Sequence, residues 1–345
     1  MHYSGPEGAV EPSDGARPAR HARSRPPGLE RKTVLKQSAR EFFAAIPTPF
    51  DADGRLRLDL FEGIVEHNIS QGLQGLYVGG TTGEWPAMTV AERLDVFRTV
   101  AEVTRRRVKL YAHVGALATG EACTLAAAAA SLGYDAVSAV PPFYNDYSAD
   151  EIAAYYGRIG GASDLPMVLY YIPSRTGGKF DVAFLERLSQ SEKVSGIKFT
   201  DMNLFLMEQV ASRIQDKYLY YGCDEMLLGG LALGANGGIG STYNFAGWRI
   251  LRLAAALDAG DLATARHHQR IVNGYLEVMF KAGLLSSLKY ILNRLGVESG
   301  QCRRPVATPS PEMCAALDRV IEADLGDRQS VAPFRSAHHD QVLVD

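Results

Sequence analysis

The sequence predicts an α/β fold: a closed (β/α)8 TIM barrel with an appended C-terminal helical layer. Three observations carry this expectation. Short, nearly continuous apolar runs occur eight times, helical patterns fall between them, and glycines and polar residues gather just after the runs. Eight such units in roughly 220 residues suit a closed parallel barrel. An open doubly wound sheet would have fewer strands and a phosphate-binding turn after the first; here the first run ends Ile46-Pro-Thr-Pro-Phe50, which is no such turn.

The expected strands are residues 42–46, 75–78, 109–114, 136–140, 167–172, 194–199, 218–221 and 237–240. Most are apolar throughout, as when both faces of a parallel sheet are covered. Helical spacing is read at 58–69, 90–103, 123–132 and 182–188. After the eighth unit only helical patterns follow, at 262–280, 285–295 and 311–325, and packing or oligomer contact is their expected use. The barrel is therefore placed at 39–258 and the added helices at 259–326. Residues 1–38 are rich in Pro, Gly, Ser and Arg without apolar periodicity, so a disordered extension is expected there, with a loose tail at 327–345.

Composition narrows the function. The chain has 345 residues, with 36 Lys plus Arg against 39 Asp plus Glu, so it lacks the basic excess of a nucleic-acid binder. No apolar run is long enough to span a bilayer, and residues 1–38 lack the apolar stretch of a secretory signal. The four cysteines stand far apart with no CxxC pair, which fits a reducing, cytoplasmic setting. His267 and His268 are adjacent, without zinc-ligand spacing, so no metal is expected.

A barrel enzyme builds its site at the C-terminal ends of the strands. Lys198 is the sharpest clue there. A lysine inside an apolar strand either snorkels to water or has a use for its amine. Burial disfavours the charged form, and a neutral amine attacks a ketone to form an imine. The protonated imine then takes up the electrons of a breaking carbon–carbon bond. No cofactor is needed for that chemistry. Gly234-x-x-Gly-Gly-x-Gly240 is no dinucleotide turn, because it runs into a strand instead of leaving one.

The other strand ends allow two readings each. The Gly79–Glu84 turn offers N–H groups and two threonine hydroxyls to an anion, and Thr81-x-x-Glu84 is also a helix capping box. Tyr144 and Tyr170 are either core aromatics or members of a hydroxyl proton relay. Asp224 and Glu225 either open a helix or hold sugar hydroxyls, and Ser241 either caps the next segment or binds the same substrate.

Together these residues are recognisable. Gly-Gly-Thr-Thr-Gly-Glu at 79–84, Pro-Phe-Tyr at 142–144, Tyr-x-Ile-Pro at 170–173 and Gly-Ile-Lys at 196–198 resemble the family of dihydrodipicolinate synthase and N-acetylneuraminate lyase, class I (Schiff-base) aldolases. The resemblance covers about residues 42 to 305 and implies an imine between Lys198 and pyruvate or another 2-keto acid. It implies proton transfer by Tyr170, with Thr81 and Tyr144 completing the relay. Tyr144 would reach a neighbouring subunit's site, which implies a homotetramer. Thr82 and Gly83 would hold the keto acid's carboxylate.

Several segments resemble the N-acetylneuraminate lyase branch, among them Tyr221-Gly-Cys-Asp-Glu-Met226 and Gly237-Gly-Ile-Gly-Ser-Thr-Tyr-Asn244. By that similarity Thr200, Gly222, Asp224, Glu225 and Ser241 would contact a polyhydroxylated tail. Three positions depart from it. Arg175 resembles the synthase branch, where it would bind a substrate carboxylate; Tyr171 stands where asparagine is common; and Trp85 stands where a small residue is usual. The expected activity is cleavage of N-acetylneuraminate or a related 2-keto sugar acid to pyruvate and an aldehyde. The alternatives are condensation of pyruvate with aspartate semialdehyde, a 2-keto-3-deoxy sugar acid aldolase, and a non-catalytic keto- or sugar-acid-binding barrel.

Overall fold

A computed structural model describes residues 40–178 and 180–330. Residues 1–38, expected to form an extension, and the expected tail beyond 330 lie outside the described residues. In chain order the elements are β1 (Glu41–Ala45), α1 (Phe61–Ser70), β2 (Gly75–Val78), α2 (Val90–Thr104), β3 (Lys109–His113), α3 (Thr119–Ser131), β4 (Ala136–Ala139) and α4 (Ala149–Gly161). There follow β5 (Met167–Tyr171), α5 (Pro173–Thr176), α6 (Val182–Ser189), β6 (Val194–Phe199), α7 (Leu204–Arg213), β7 (Tyr218–Tyr221), α8 (Leu227–Ala232), β8 (Gly237–Gly240) and α9 (Tyr243–Asp258). The last three helices are α10 (Leu262–Ala282), α11 (Leu284–Arg294) and α12 (Pro311–Ser330).

The eight strands form a closed parallel barrel in sequence order, and β8 returns to β1 with Ile239 opposite Phe43. Side chains alternate between two apolar layers. Leu76, Val78, Leu110, Ala112, Tyr171 and Phe199 pack outward under the helices, whereas Phe43, Tyr77, Tyr111, Tyr170, Tyr220 and Ile239 fill the barrel. Both faces of each strand are thus covered, which is why the sequence runs are unbroken.

The N-terminal end of the barrel is plugged. Phe43 stacks on Tyr111 with ring centroids 4.3 Å apart, and the hydroxyls of Tyr111 and Tyr220 are 3.0 Å apart. Tyr220 donates to Glu41 Oε2 at 3.0 Å, and Glu41 Oε1 accepts from Lys109 Nζ at 2.5 Å. Lys109, Glu41, Tyr220 and Tyr111 are thus linked in one unbroken series of hydrogen bonds.

Two details differ from the sequence reading. Thr81 and Glu84 form no capping box: Glu84 has φ 57° and is followed by one 3-10 turn, and the box that starts α2 is Thr89 with Glu92. α12 also runs to Ser330, past the boundary expected at 326. Arg249, fully buried on α9, binds Asp324 in this helix and also reaches Asp327 Oδ2 at 2.7 Å, just past that boundary. Among the described residues no helix is long and apolar enough to cross a membrane.

Candidate active site

Lys198 lies on β6, opposite Tyr170 of β5 and Tyr220 of β7. The alternation that sends Ile197 and Phe199 outward sends Lys198 into the barrel, where it is 4% exposed. Its Nζ sits 4.1 Å from the ring centroid of Tyr170 and 4.2 Å from that of Tyr77. Two aromatic faces flank the amine, and among the described residues Nζ makes no hydrogen bond. The Tyr170 hydroxyl is 3.5 Å from Thr81 Oγ1, so the amine, the tyrosine and the first threonine of the turn form one cluster.

The turn is held from both sides. Thr82 Oγ1 lies 2.7 Å from Ser241 Oγ after β8, and Thr48 after β1 donates its hydroxyl to the Gly83 carbonyl at 2.7 Å. Among the described residues the N–H groups of Thr81, Thr82 and Gly83 donate to no backbone acceptor. They are available to a carboxylate, but as a free-standing turn, since no α-helix begins at Glu84.

Positive charge stands behind this turn. Arg93 of α2 is buried and has no carboxylate partner among the described residues; it donates to the carbonyls of His113 and Gly115, the latter at 2.9 Å. Burial lowers its pKa to about 10, so it keeps its charge at neutral pH. His113 is held well below the ordinary histidine pKa, first by burial and then by the charges of Arg93 and Lys198. Its Nδ1 lies 3.1 Å from the Gly79 carbonyl, which only accepts, and 3.5 Å from Arg93 Nη2, which only donates; the shorter contact favours the proton on Nδ1, with Nε2 as the acceptor. That Nε2 is buried without a partner among the described residues.

The residues expected to hold a polyhydroxylated tail also lie at the strand ends. A Cβ on Gly222 would meet Thr200 Oγ1 at 2.1 Å, and one on Gly240 would meet Asp224 Oδ1 at 2.0 Å, so both glycines make room for these side chains. Burial pushes the Asp224 carboxyl up to about 6, against the pull of the Thr242 amide and hydroxyl on Oδ2 at 2.8 and 2.7 Å. Asp224 Oδ1 and Thr200 Oγ1 are buried without a partner among the described residues. Glu225 is half-buried beside Asp224.

Not every expected residue joins this cluster. Arg175, on the four-residue α5, is exposed, and its side chain makes no hydrogen bond or ion pair among the described residues. Tyr144 follows β4, is 81% exposed and makes no hydrogen bond to Tyr170 within this chain. Tyr171 points into the outer layer, its ring 5.0 Å from Phe199 and 5.8 Å from Phe180, so it does not line the pocket. Trp85 does pack on the inner layer, 5.3 Å from the His113 ring and 6.2 Å from Phe143.

The sequence reading missed His113, Arg93 and Tyr77. Strand alternation was the available signal for Tyr77 and His113, since each shares a face with the residues leading to a strand end. For Arg93, on an ordinary helical surface pattern, none was available.

A closed parallel barrel with a buried lysine, a tyrosine and threonine hydroxyls at its C-terminal mouth defines a TIM-barrel lyase of the class I aldolase type. The sequence profile of the Dihydrodipicolinate synthetase family matches residues 38–324. An N-acetylneuraminate lyase of Salmonella agona is 42% identical over 281 residues, covering 81% of this chain and 95% of that protein. CdNal of Clostridium difficile, solved in complex with mannosamine, superposes with a TM-score of 0.80 at 32% identity over 83% of this chain and 99% of that one. Dihydrodipicolinate synthase DapA-2 of Bacillus anthracis superposes with a TM-score of 0.79 at 28% identity over 83% and 98%. This chain belongs to the Dihydrodipicolinate synthetase family.

Proposed function

We propose that the protein is a Schiff-base lyase that cleaves N-acetylneuraminate, or a closely related 2-keto sugar acid, to pyruvate and an aldehyde, N-acetylmannosamine in the first case. The observation that carries this reading is Lys198 Nζ, buried against the Tyr170 and Tyr77 rings with the Tyr170 hydroxyl beside Thr81. The amine adds to the substrate's C2 ketone and water leaves, giving the imine. As the C3–C4 bond breaks, Tyr170 accepts the proton of the C4 hydroxyl while handing its own into the relay through Thr81, and the bond's electrons pass into the protonated imine as an enamine. The aldehyde departs, C3 regains a proton, and water releases pyruvate from Lys198. Thr82, Gly83 and their amides hold the carboxylate, with Arg93 supplying positive potential from behind.

On the tail side, Asp224 Oδ1 and Thr200 Oγ1 are buried groups that sugar hydroxyls would satisfy, with Gly222, Glu225 and Ser241 around them. A site built to pair hydroxyls rejects a substrate that lacks them, because its buried polar groups then stay unpaired. The 42% identity to the lyase of Salmonella agona over 95% of its length, and the exposure of Arg175, support cleavage over condensation with aspartate semialdehyde. Exposed Tyr144 supports a homotetramer in which a neighbour receives it and the relay is completed between subunits. Four free cysteines suit a cytoplasmic setting.

Borohydride reduction in the presence of pyruvate should leave a three-carbon adduct on Lys198, and N-acetylneuraminate should release pyruvate. An unmodified Lys198 would sink the mechanism. Consumption of aspartate semialdehyde without pyruvate release from the sugar acid would sink the substrate.

A further inference from the structure

The chemistry-bearing turn and the appended helices meet at one side chain. Lys289 of α11 is 2% exposed. Its Nζ donates to Glu84 Oε1, to the Thr48 carbonyl and to the Gln301 carbonyl, each at 2.6 Å. An ammonium has three hydrogens, and all three are used. Glu84 Oε2 accepts the Arg303 N–H at 2.9 Å, so both carboxylate oxygens are held as well.

The position of this pair gives it meaning. Glu84 ends the turn that carries Thr81 and Thr82, and it holds a left-handed φ of 57° that a glutamate ordinarily avoids. Thr48, the second residue gripped by Lys289, donates its hydroxyl to Gly83 in the same turn. Lys289 therefore grips the turn twice, directly at its last residue and through Thr48 at the residue before. A buried ion pair is a weak device for stability alone, because removing both charges from water offsets most of their attraction. What it supplies is a single geometry.

We infer that Lys289 is a positioning residue for the active site: through Glu84 and Thr48 it fixes the 79–84 turn so that Thr81 stays at the Tyr170 hydroxyl and Thr82 at Ser241. The helical layer that follows the barrel thus serves the reaction as well as packing. This inference rests on the Schiff-base reading of Lys198 and Tyr170. A misplacement of about 1 Å in a proton relay costs up to roughly 100-fold in rate, so the effect should be readable.

The test compares wild type, Lys289→Met, Glu84→Gln, and Glu84→Gln combined with Lys289→Met. For each, Tm, kcat and KM on N-acetylneuraminate, and borohydride trapping of pyruvate at Lys198 are measured. Lys289→Met leaves the Glu84 carboxylate buried and uncompensated, so its Tm should fall. The combined variant removes both charges and should recover most of that Tm while still trapping pyruvate. Its kcat should stay at least about tenfold below wild type with KM little changed, a split that packing alone does not produce. A kcat within about twofold of wild type in the combined variant overturns the inference. If the combined variant does not fold, Glu84→Gln decides, since it keeps the side-chain shape: a lowered kcat supports positioning and an unchanged one overturns it. A wild type that traps no pyruvate overturns the Schiff-base reading and this inference with it, a result distinct from any change confined to the variants.

Discussion

The two ends of the barrel interior are both buried and both rich in hydroxyls, yet they are built differently. At the N-terminal end, Lys109, Glu41, Tyr220 and Tyr111 form a complete chain of hydrogen bonds. One layer up, the Tyr77 hydroxyl meets Ser138 Oγ at 3.0 Å. At the C-terminal mouth, His113 Nε2, Thr200 Oγ1 and Asp224 Oδ1 are buried without partners among the described residues. A buried polar atom left unpaired costs on the order of 1–3 kcal/mol; Thr104 Oγ1 and Ser287 Oγ are also unpaired elsewhere among the described residues, but only at the mouth do such atoms gather at the strand ends beside Lys198, and we propose that a ligand satisfies them there. On the proposed reading, the plugged end serves stability and the open end serves binding.

The sharpest way to break this contrast is at Lys198. Lys198→Ala should cut turnover of N-acetylneuraminate by at least about 10³-fold with the fold intact, as read by steady-state kinetics and Tm. Tyr170→Phe comes next, with a loss of about 10²- to 10³-fold in kcat and pyruvate still bound. Wild-type rates in either variant would remove the mouth's claim to the chemistry.

Asp224 sharpens the comparison through pH. Its folded pKa of about 6 lies above the ordinary value of 3.8, so the native state keeps a proton that the unfolded chain has lost. Its contribution to stability is therefore full below about pH 4 and is lost as pH rises towards 6, by roughly 3 kcal/mol at most. Asp224→Asn should flatten that part of the stability–pH curve in denaturant titrations. The same change should raise KM for the sugar acid by about tenfold and leave pyruvate trapping intact, since the lost acceptor faces the tail. At the plugged end, Tyr111→Phe removes one hydroxyl from a complete chain. It should lower stability by about 1 kcal/mol in a urea melt and leave kcat unchanged. A large loss of kcat there would erase the distinction between the two ends.

Much of the site is legible in the sequence because its signals are local. Lys198 stands out as a charged residue inside an apolar strand, where Lys109 stands only at the start of one, and the glycines at 79, 80 and 83 mark a turn. Other signals mislead for equally physical reasons. Thr81-x-x-Glu84 has the spacing of a capping box, but the carboxylate goes to Lys289, 205 positions away, and the backbone follows it into the left-handed region. Tyr170 and Tyr171 are chemically alike in the sequence. Strand alternation turns the first towards Lys198 and the second towards Phe199, so the departure at Tyr171 has no bearing on the pocket.

The sequence by itself determined the barrel, the lysine and the order of the strand-end turns, because apolar period and turn chemistry act within a few residues. Tertiary structure alone decided which polar atoms at the mouth stay unpaired, which buried cation stands behind the turn, and which distant helix holds that turn in place. Those outcomes depend on close approaches at Gly222 and Gly240, on Arg93 facing carbonyls instead of an acid, and on Lys289 meeting Glu84. Each is a contact between residues far apart in the chain, where packing sets the partner and local pattern carries no trace of it.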